Sequence, residues 1–268
     1  MAGETPPRLQ VASWNVNSLR VRLPQVLSWL SANTVDVLGL QETKLTDEVF
    51  PVAELRDAGY EPLYSGQAAY NGVALLVRDS LRTDDIVRAI PEFDHGQRRV
   101  LLATVGDIRI ANLYVPNGEA VGTDKYRYKL DWLDALHGFL RDELKRYPRL
   151  IVMGDFNVAP ADADVYAPEI WRDRILYSEP ERRALHALFG IGFEDAFRLF
   201  EQPKGSYSWW DYRAGAFRRN LGLRIDLLLA SPTLARECLE CRIDRVPRGW
   251  ERPSDHAPVL ATFERLEV

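Results

Sequence analysis

The sequence predicts an α/β fold in which two β-sheets pack face to face, with helices on their outer sides. Three observations carry this expectation. Short apolar runs rich in Val, Ile and Leu recur along the chain, each bounded by turn residues. Fewer amphipathic helical patterns interrupt them, without the strict strand and helix alternation that a doubly wound parallel sheet requires. Gly106-Asp107 lies between two of the runs as a hairpin turn, so part of the sheet structure is antiparallel.

Taken in chain order, "RLQVASWNV" reads as the first strand, and "LPQVLSWLSAN" as a helix with Pro24 near its start. The strands "DVLGLQE", "GVALLVRD", "RRVLLATV" and "IRIANLYVP" come next. "KYRYKLDWLDALHGFLRDELKRY" is the longest helical pattern, and Pro148 stops it. After the strand "RLIVMGDF", the run "EPERRALHALFG" predicts a helix with Ser178 as its N-cap and Gly190 at its end. "LRIDLLLAS" and "PVLATF" close the set of strands. "VASWNVN" and "VMGDFNVAP" echo one another. A structural duplication would place Asn15 and Asn157 at equivalent strand ends, facing one cleft.

At 268 residues and 46% hydrophobic, the chain can bury one substantial core. We expect one domain over residues 9–265 after a short extension, 1–8. No apolar stretch is long enough for a membrane span, and "MAGETPPRLQ" lacks the features of a secretion signal, so a cytoplasmic monomer is expected. Cys238 and Cys241 are the two cysteines, too few for a disulfide framework, and they read as ordinary residues at a helix-to-strand junction. The net charge of -5 argues against a general polyanion binder without excluding DNA, because local clusters decide binding and metal sites gather carboxylates.

Polar side chains collect where the strands end: Asn15 and Asn17, Gln41 and Glu42, Tyr114 and Asn117, Asp155 and Asn157, and later Asp255 and His256. Singly, each fits turn chemistry, capping or a solvated strand end. Asp226 fits less well, because Ile225 and Leu227 place it in a buried strand, where an ionised carboxylate needs a partner. His256 is the partner we expect: a carboxylate on one ring nitrogen fixes the tautomer and leaves the other for a substrate oxygen. Together the set is rich in oxygen donors and lacks spare thiols, which suits Mg2+ or Mn2+. Phosphate loops, nucleophile elbows and zinc-protease helices are absent from the sequence. Metal-assisted phosphoester hydrolysis is the leading chemistry.

In order and spacing, "WNVNSLR", "LGLQETK", "NGVALLVR", "NLYVPNG", "MGDFNVAP", "SWWDYR", "GLRIDLLLAS" and "SDHAP" resemble the exonuclease III family of apurinic/apyrimidinic endonucleases, over nearly the whole chain. The resemblance implies a DNase I-like four-layer α/β sandwich of two mainly antiparallel sheets. It implies Glu42 as principal metal ligand, with Asn15 and Asp255 near the ion and Asp155 and Asn157 bordering it. Asp155 would activate the attacking water, Asn157 would hold that water or a phosphate oxygen, and His256, supported by Asp226, would bond the scissile phosphate. Tyr114 would lie against the phosphate or leaving oxygen. Asn117 would contact a phosphate, and Trp209, Leu223 and Ile225 would line a pocket for a flipped abasic sugar. Lys129 and Arg213 are the expected backbone-phosphate contacts. The implied activity is cleavage of double-stranded DNA 5' to abasic sites, with 3'-5' exonuclease and 3'-phosphatase activity. Alternatives are a 3'-end-trimming exonuclease, a phosphatase of small or lipid phosphates, and a DNA-binding module with a decayed site.

Overall fold

A computed structural model of the chain describes residues 8–93 and 95–264. The expected N-terminal extension lies outside the described residues except for Arg8, which already pairs with Glu264 in a strand. The first sheet contains β1 (Arg8–Asn15), β2 (Val37–Gln41), β3 (Tyr60–Ser65), β4 (Val73–Arg78), β11 (Cys238–Ile243) and β12 (Val259–Glu264). The second contains β5 (Thr83–Val87), β6 (Val100–Val105), β7 (Ile108–Tyr114), β8 (Leu150–Asp155), β9 (Glu194–Asp195) and β10 (Asp226–Ala230). The helices are α1 (Leu19–Ala32), α2 (Val52–Asp57), α3 (Asp124–Arg146), α4 (Pro168–Trp171), α5 (Glu179–Gly190), α6 (Ala216–Arg219) and α7 (Pro232–Glu237). None of them is long and apolar enough to cross a membrane.

Strand periodicity explains the layering. In β8, Ile151 and Met153 face the other sheet, whereas Leu150 and Val152 pack with Trp132 and Leu136 of α3. In β1, Leu9 and Val11 face inward, and Ala12 and Trp14 pack outward with Trp29 of α1. Both faces of each central strand are therefore covered, which is why these strands read as nearly continuous apolar runs rather than alternating ones. The result is helix, sheet, sheet, helix: the expected four-layer sandwich.

Both sheets have the same pairing pattern. From one edge, β11-β12-β1-β2-β4-β3 and β9-β10-β8-β7-β6-β5 each contain one parallel pair at the centre, β1 with β2 and β8 with β7, with antiparallel neighbours outside. Strands β1 and β8 thus occupy equivalent places, in keeping with the echo between their sequences.

Some boundaries differ from the sequence expectation. Helix α1 begins at Leu19, so Pro24 falls inside it rather than at its start. Strand β10 begins only at Asp226, because residues before it form isolated bridges to Val165 and Trp209. Strands β3, β5 and β9 have no counterpart in the sequence expectation, and β11 has one only in the helix-to-strand junction read at Cys238 and Cys241; all four are the outermost strands of their sheets.

Candidate active site

Strand direction gathers the polar residues at one edge of the sandwich. Asn15, Gln41, Tyr114 and Asp155 are the last residues of β1, β2, β7 and β8, while Asp226 begins the antiparallel β10 and His256 precedes the antiparallel β12. Register then fixes neighbours: Asp155 pairs with Tyr114 on one side and Asp226 on the other.

His256 sits across this row. Its Nδ1 lies 2.9 Å and 3.1 Å from the two Asp226 carboxylate oxygens, and its Nε2 lies 3.8 Å from Asp155 Oδ2. Burial opposes charging the ring, but Asp226 and then Asp155 outweigh it and push its pKa up to about 10. Burial pushes Asp155 up to about 7, with His256 opposing and Asp226 reinforcing the rise. The histidine segment is anchored from β1: the Trp14 indole donates to the His256 carbonyl at 3.2 Å, and Ser254 Oγ donates to the Asn15 carbonyl at 2.6 Å.

Asp155 Oδ1 accepts the Asn157 backbone N–H at 2.9 Å, and Oδ2 accepts Asn15 Nδ2 at 2.9 Å and Asn157 Nδ2 at 3.3 Å. Asn157, just past the end of β8, reaches this position through a left-handed turn, φ 50°. Gly154 makes the approach possible: a Cβ there would lie 1.9 Å from the Leu113 carbonyl oxygen, at φ 149°.

Glu42 lies just past β2 and is also left-handed, φ 52°, a conformation that costs an ordinary residue about 1 kcal/mol or more and that accumulates at functional sites. Its carboxylate accepts Asn15 Nδ2 at 2.9 Å and pairs with Lys44 at 2.8 Å. Burial raises its pKa, but Lys44 and the Asn15 hydrogen bond outweigh it and hold the group below the ordinary range. Asn15 therefore enters as a donor to both Glu42 and Asp155. Its side-chain oxygen Oδ1 accepts the Asn17 N–H at 3.0 Å. Asp255 accepts Asn17 Nδ2 and the Trp209 indole, both at 3.0 Å. Burial raises its pKa, and His256 and these hydrogen bonds more than reverse the rise.

Tyr114 is driven well above its ordinary pKa by burial and by Glu42 and Asp155, so its hydroxyl stays protonated. Arg99 stacks on its ring at 4.7 Å and, with Glu42, Tyr114 and Asn117, lines an adjoining cavity of about 510 Å³. Asn117 Nδ2 donates to Asn157 Oδ1 at 3.2 Å.

The donor chemistry fits a hard divalent cation. Glu42 and Asp155 both accept from one amide nitrogen, Asn15 Nδ2, and oxygen dominates the set. Asp155, Asp226 and His256 also bring one ligand atom each within 4.8 Å of one another. Since Asp226 occupies His256 Nδ1, that trio is better described as a hydrogen-bonded relay than as a closed metal cage.

Two further groups of expected residues differ in how much surface they offer. Lys129 is fully buried in an ion pair with Glu181 and offers nothing to the surface, whereas Arg213 is exposed. Leu223 and Ile225 are 0% and 1% exposed, packed with Leu176 and Val165, and only Trp209 of the expected pocket offers surface. Their alternation around Arg224 in an apolar run is a core signal as much as a pocket signal. Sequence reasoning gives no role to Lys44, although it stands in the "LGLQETK" motif, or to the Gln41–Asn112 hydrogen bond of 2.6 Å that ties the two sheets together beneath the site.

Such a fold and edge define a hydrolase of phosphodiester bonds. The chain belongs to the endonuclease/exonuclease/phosphatase family, whose sequence profile matches residues 12–256. It is 35% identical to the exodeoxyribonuclease III of Haemophilus influenzae, over 96% of this chain and 100% of that protein. Among solved structures, a 3' phosphatase from Neisseria bound to a product DNA hairpin superimposes with a TM-score of 0.93 at 45% identity, covering 96% of this chain and 100% of that one. An AP endonuclease from Archaeoglobus fulgidus gives 0.92 at 37% identity, again covering 96% and 100%.

Proposed function

We propose that the protein is a Mg2+- or Mn2+-dependent DNA repair phosphodiesterase that acts as a monomer on duplex DNA, cleaving 5' to abasic sites and trimming or dephosphorylating 3' ends. The observation that carries this reading is Asp155, set in register between Tyr114 and Asp226 with His256 across the row. A divalent cation held by Glu42, with Asp155, Asn157 and Asp255 nearby, would neutralise charge on the phosphate and on the leaving 3' oxygen.

The chain's own groups divide the remaining work. Asp155, with a pKa near neutrality, takes the proton of the attacking water, and Asn157 and Asn15 fix the direction of its lone pairs. His256, held protonated by Asp226, presents Nε2–H to a phosphate oxygen. Tyr114, with its proton retained, donates to the phosphate or the leaving oxygen. Asn117, bonded to Asn157, orders the loop beside the phosphate, and Arg213 offers surface charge to the DNA backbone.

One observation favours a second reading, 3'-end processing with little abasic-site activity: Leu223 and Ile225 are covered by their neighbours, so they offer no apolar surface beside Trp209 to a flipped sugar. The Neisseria relative described as a 3' phosphatase is consistent with it. Rates measured side by side on an abasic duplex, a 3'-phosphorylated duplex and an inositol phosphate decide among these readings. The first reading predicts abasic nicking at a rate comparable to 3' dephosphorylation. Preference for the inositol phosphate would overturn both.

A further inference from the structure

Lys129 is the feature of this site that its chemistry does not use. It projects from α3 with a side chain that is 0% exposed, and its ammonium donates to the Asn157 carbonyl at 2.7 Å, to the Asn117 carbonyl at 3.0 Å, and to Glu181 Oε1. Three donors meet three acceptors, and two of those acceptors are the backbones of residues placed at the phosphate.

The partner side is equally saturated. Glu181 Oε1 also accepts the Leu176 N–H at 3.1 Å, and Oε2 accepts the Ser178 N–H at 3.0 Å and Ser178 Oγ at 2.5 Å. Ser178 Oγ in turn meets the Tyr126 hydroxyl, one turn before Lys129 on α3, at 2.7 Å. The pair therefore bolts α3 to the start of α5 and hangs two active-site loops from the joint. Gly118 leaves room for it: a Cβ at that position, φ 91°, would lie 3.0 Å from Lys129 Cδ.

A buried ion pair is a poor device for stability alone, since desolvation cancels much of its attraction and apolar replacements often do as well. Its use here is directional. Asn157 holds a left-handed backbone, and the bond to its carbonyl fixes the adjoining peptide and, with it, the Asn157 side chain that donates to Asp155. We propose that Lys129, paired with Glu181, is a positioning residue for catalysis that sets Asn157 and Asn117 against the scissile phosphate. This rests on the phosphodiesterase reading above.

The test compares the wild type with the charge-neutral pair Lys129→Met/Glu181→Gln and, should that fail to fold, with Lys129→Arg, whose planar fork keeps the charge but not the three-way geometry. Activity is taken per folded molecule, well below Tm, on a 3'-phosphorylated duplex with Mg2+. Misplacement of the two loops predicts a kcat lower by roughly 100-fold with KM nearly unchanged. It also predicts a shifted Asn157 side-chain amide resonance in the metal-free protein. A folded variant with kcat within about threefold of wild type and an unmoved Asn157 resonance would overturn the proposal and leave the pair a structural tie. A wild type inactive on DNA would instead remove the phosphodiesterase reading, and the Asn157 resonance would still decide whether Lys129 positions that side chain.

Discussion

Asp226 and Asp155 stand opposite one another in register on β10 and β8, and His256 is bonded to the first through Nδ1 at 2.9 Å while its Nε2 lies 3.8 Å from the second. The two carboxylates are the same residue type in two environments. One is committed to the histidine; the other is left to titrate near neutrality. Replacing Asp226 with Asn preserves shape but removes the charge that holds the imidazolium. We expect Asp226→Asn to lower kcat by roughly 10²- to 10⁴-fold, and the His256 ring to lose its proton nearer the ordinary histidine range, read from ring-nitrogen NMR shifts. Retention of a pKa near that of the wild type would contradict the assignment.

His256 and Asp155 set the pH dependence of stability at this edge. His256 is raised to about 10 in the folded protein, against about 6.5 unfolded, so its stabilising contribution is fully present below about pH 6.5 and is lost as pH rises toward 10. Asp155, raised to about 7, adds to the decline between about pH 4 and 7, because the folded form holds that proton more tightly. Thermal melts of the metal-free protein should show Tm falling as pH rises from 6.5 to 10, and Asp226→Asn should flatten that fall.

Metal binding should be linked to protons. With burial raising Asp155 toward neutrality, a divalent cation beside it favours the ionised form, and ion binding near pH 7 should release protons to the buffer. Calorimetry in buffers of different ionisation enthalpy measures this directly. Glu42→Gln should weaken Mg2+ binding on the order of 100-fold while leaving Tm close to that of the wild type. Unchanged Mg2+ affinity would show that Glu42 is not the ligand.

Gly154 predicts a purely steric effect. A methyl group at this position meets the Leu113 carbonyl at 1.9 Å, at the point where β7 and β8 present Tyr114 and Asp155. Gly154→Ala should destabilise the protein by more than about 2 kcal/mol, measured by urea unfolding, and should lower activity in the folded fraction as well.

Much of the site is legible in the sequence because an apolar strand sets off any polar residue at its end: Asp155, Asp226 and His256 stand out against "LIVMG", "LLLA" and "APV". The edge strands are illegible for related physical reasons. Strand β3 contains Pro62, tolerated because β3 is outermost, and β5 is a mostly exposed "TDDIV" with no alternating pattern. Lys129, among basic neighbours, has the look of surface charge. Its spacing from Tyr126, Trp132, Leu133 and Leu136 places it on the buried stripe of α3, a signal that composition hides and helical periodicity holds. The amide orientation of Asn15 and the burial of Leu223 and Ile225 depend on contacts between distant segments, which a single sequence does not specify.

Everything proposed for this edge of the sandwich turns on Asp155 serving a metal-dependent cleavage of DNA. It is tested most directly by product mapping on one duplex that contains an abasic site and a recessed, phosphorylated 3' end, using wild type and Asp155→Asn with Mg2+ and with EDTA. We expect hydrolysis by the wild type that EDTA abolishes and Mg2+ restores, with Asp155→Asn lower by roughly 10³-fold or more. Cleavage that survives EDTA, or a folded Asp155→Asn protein that works at the wild-type rate, would contradict this assignment.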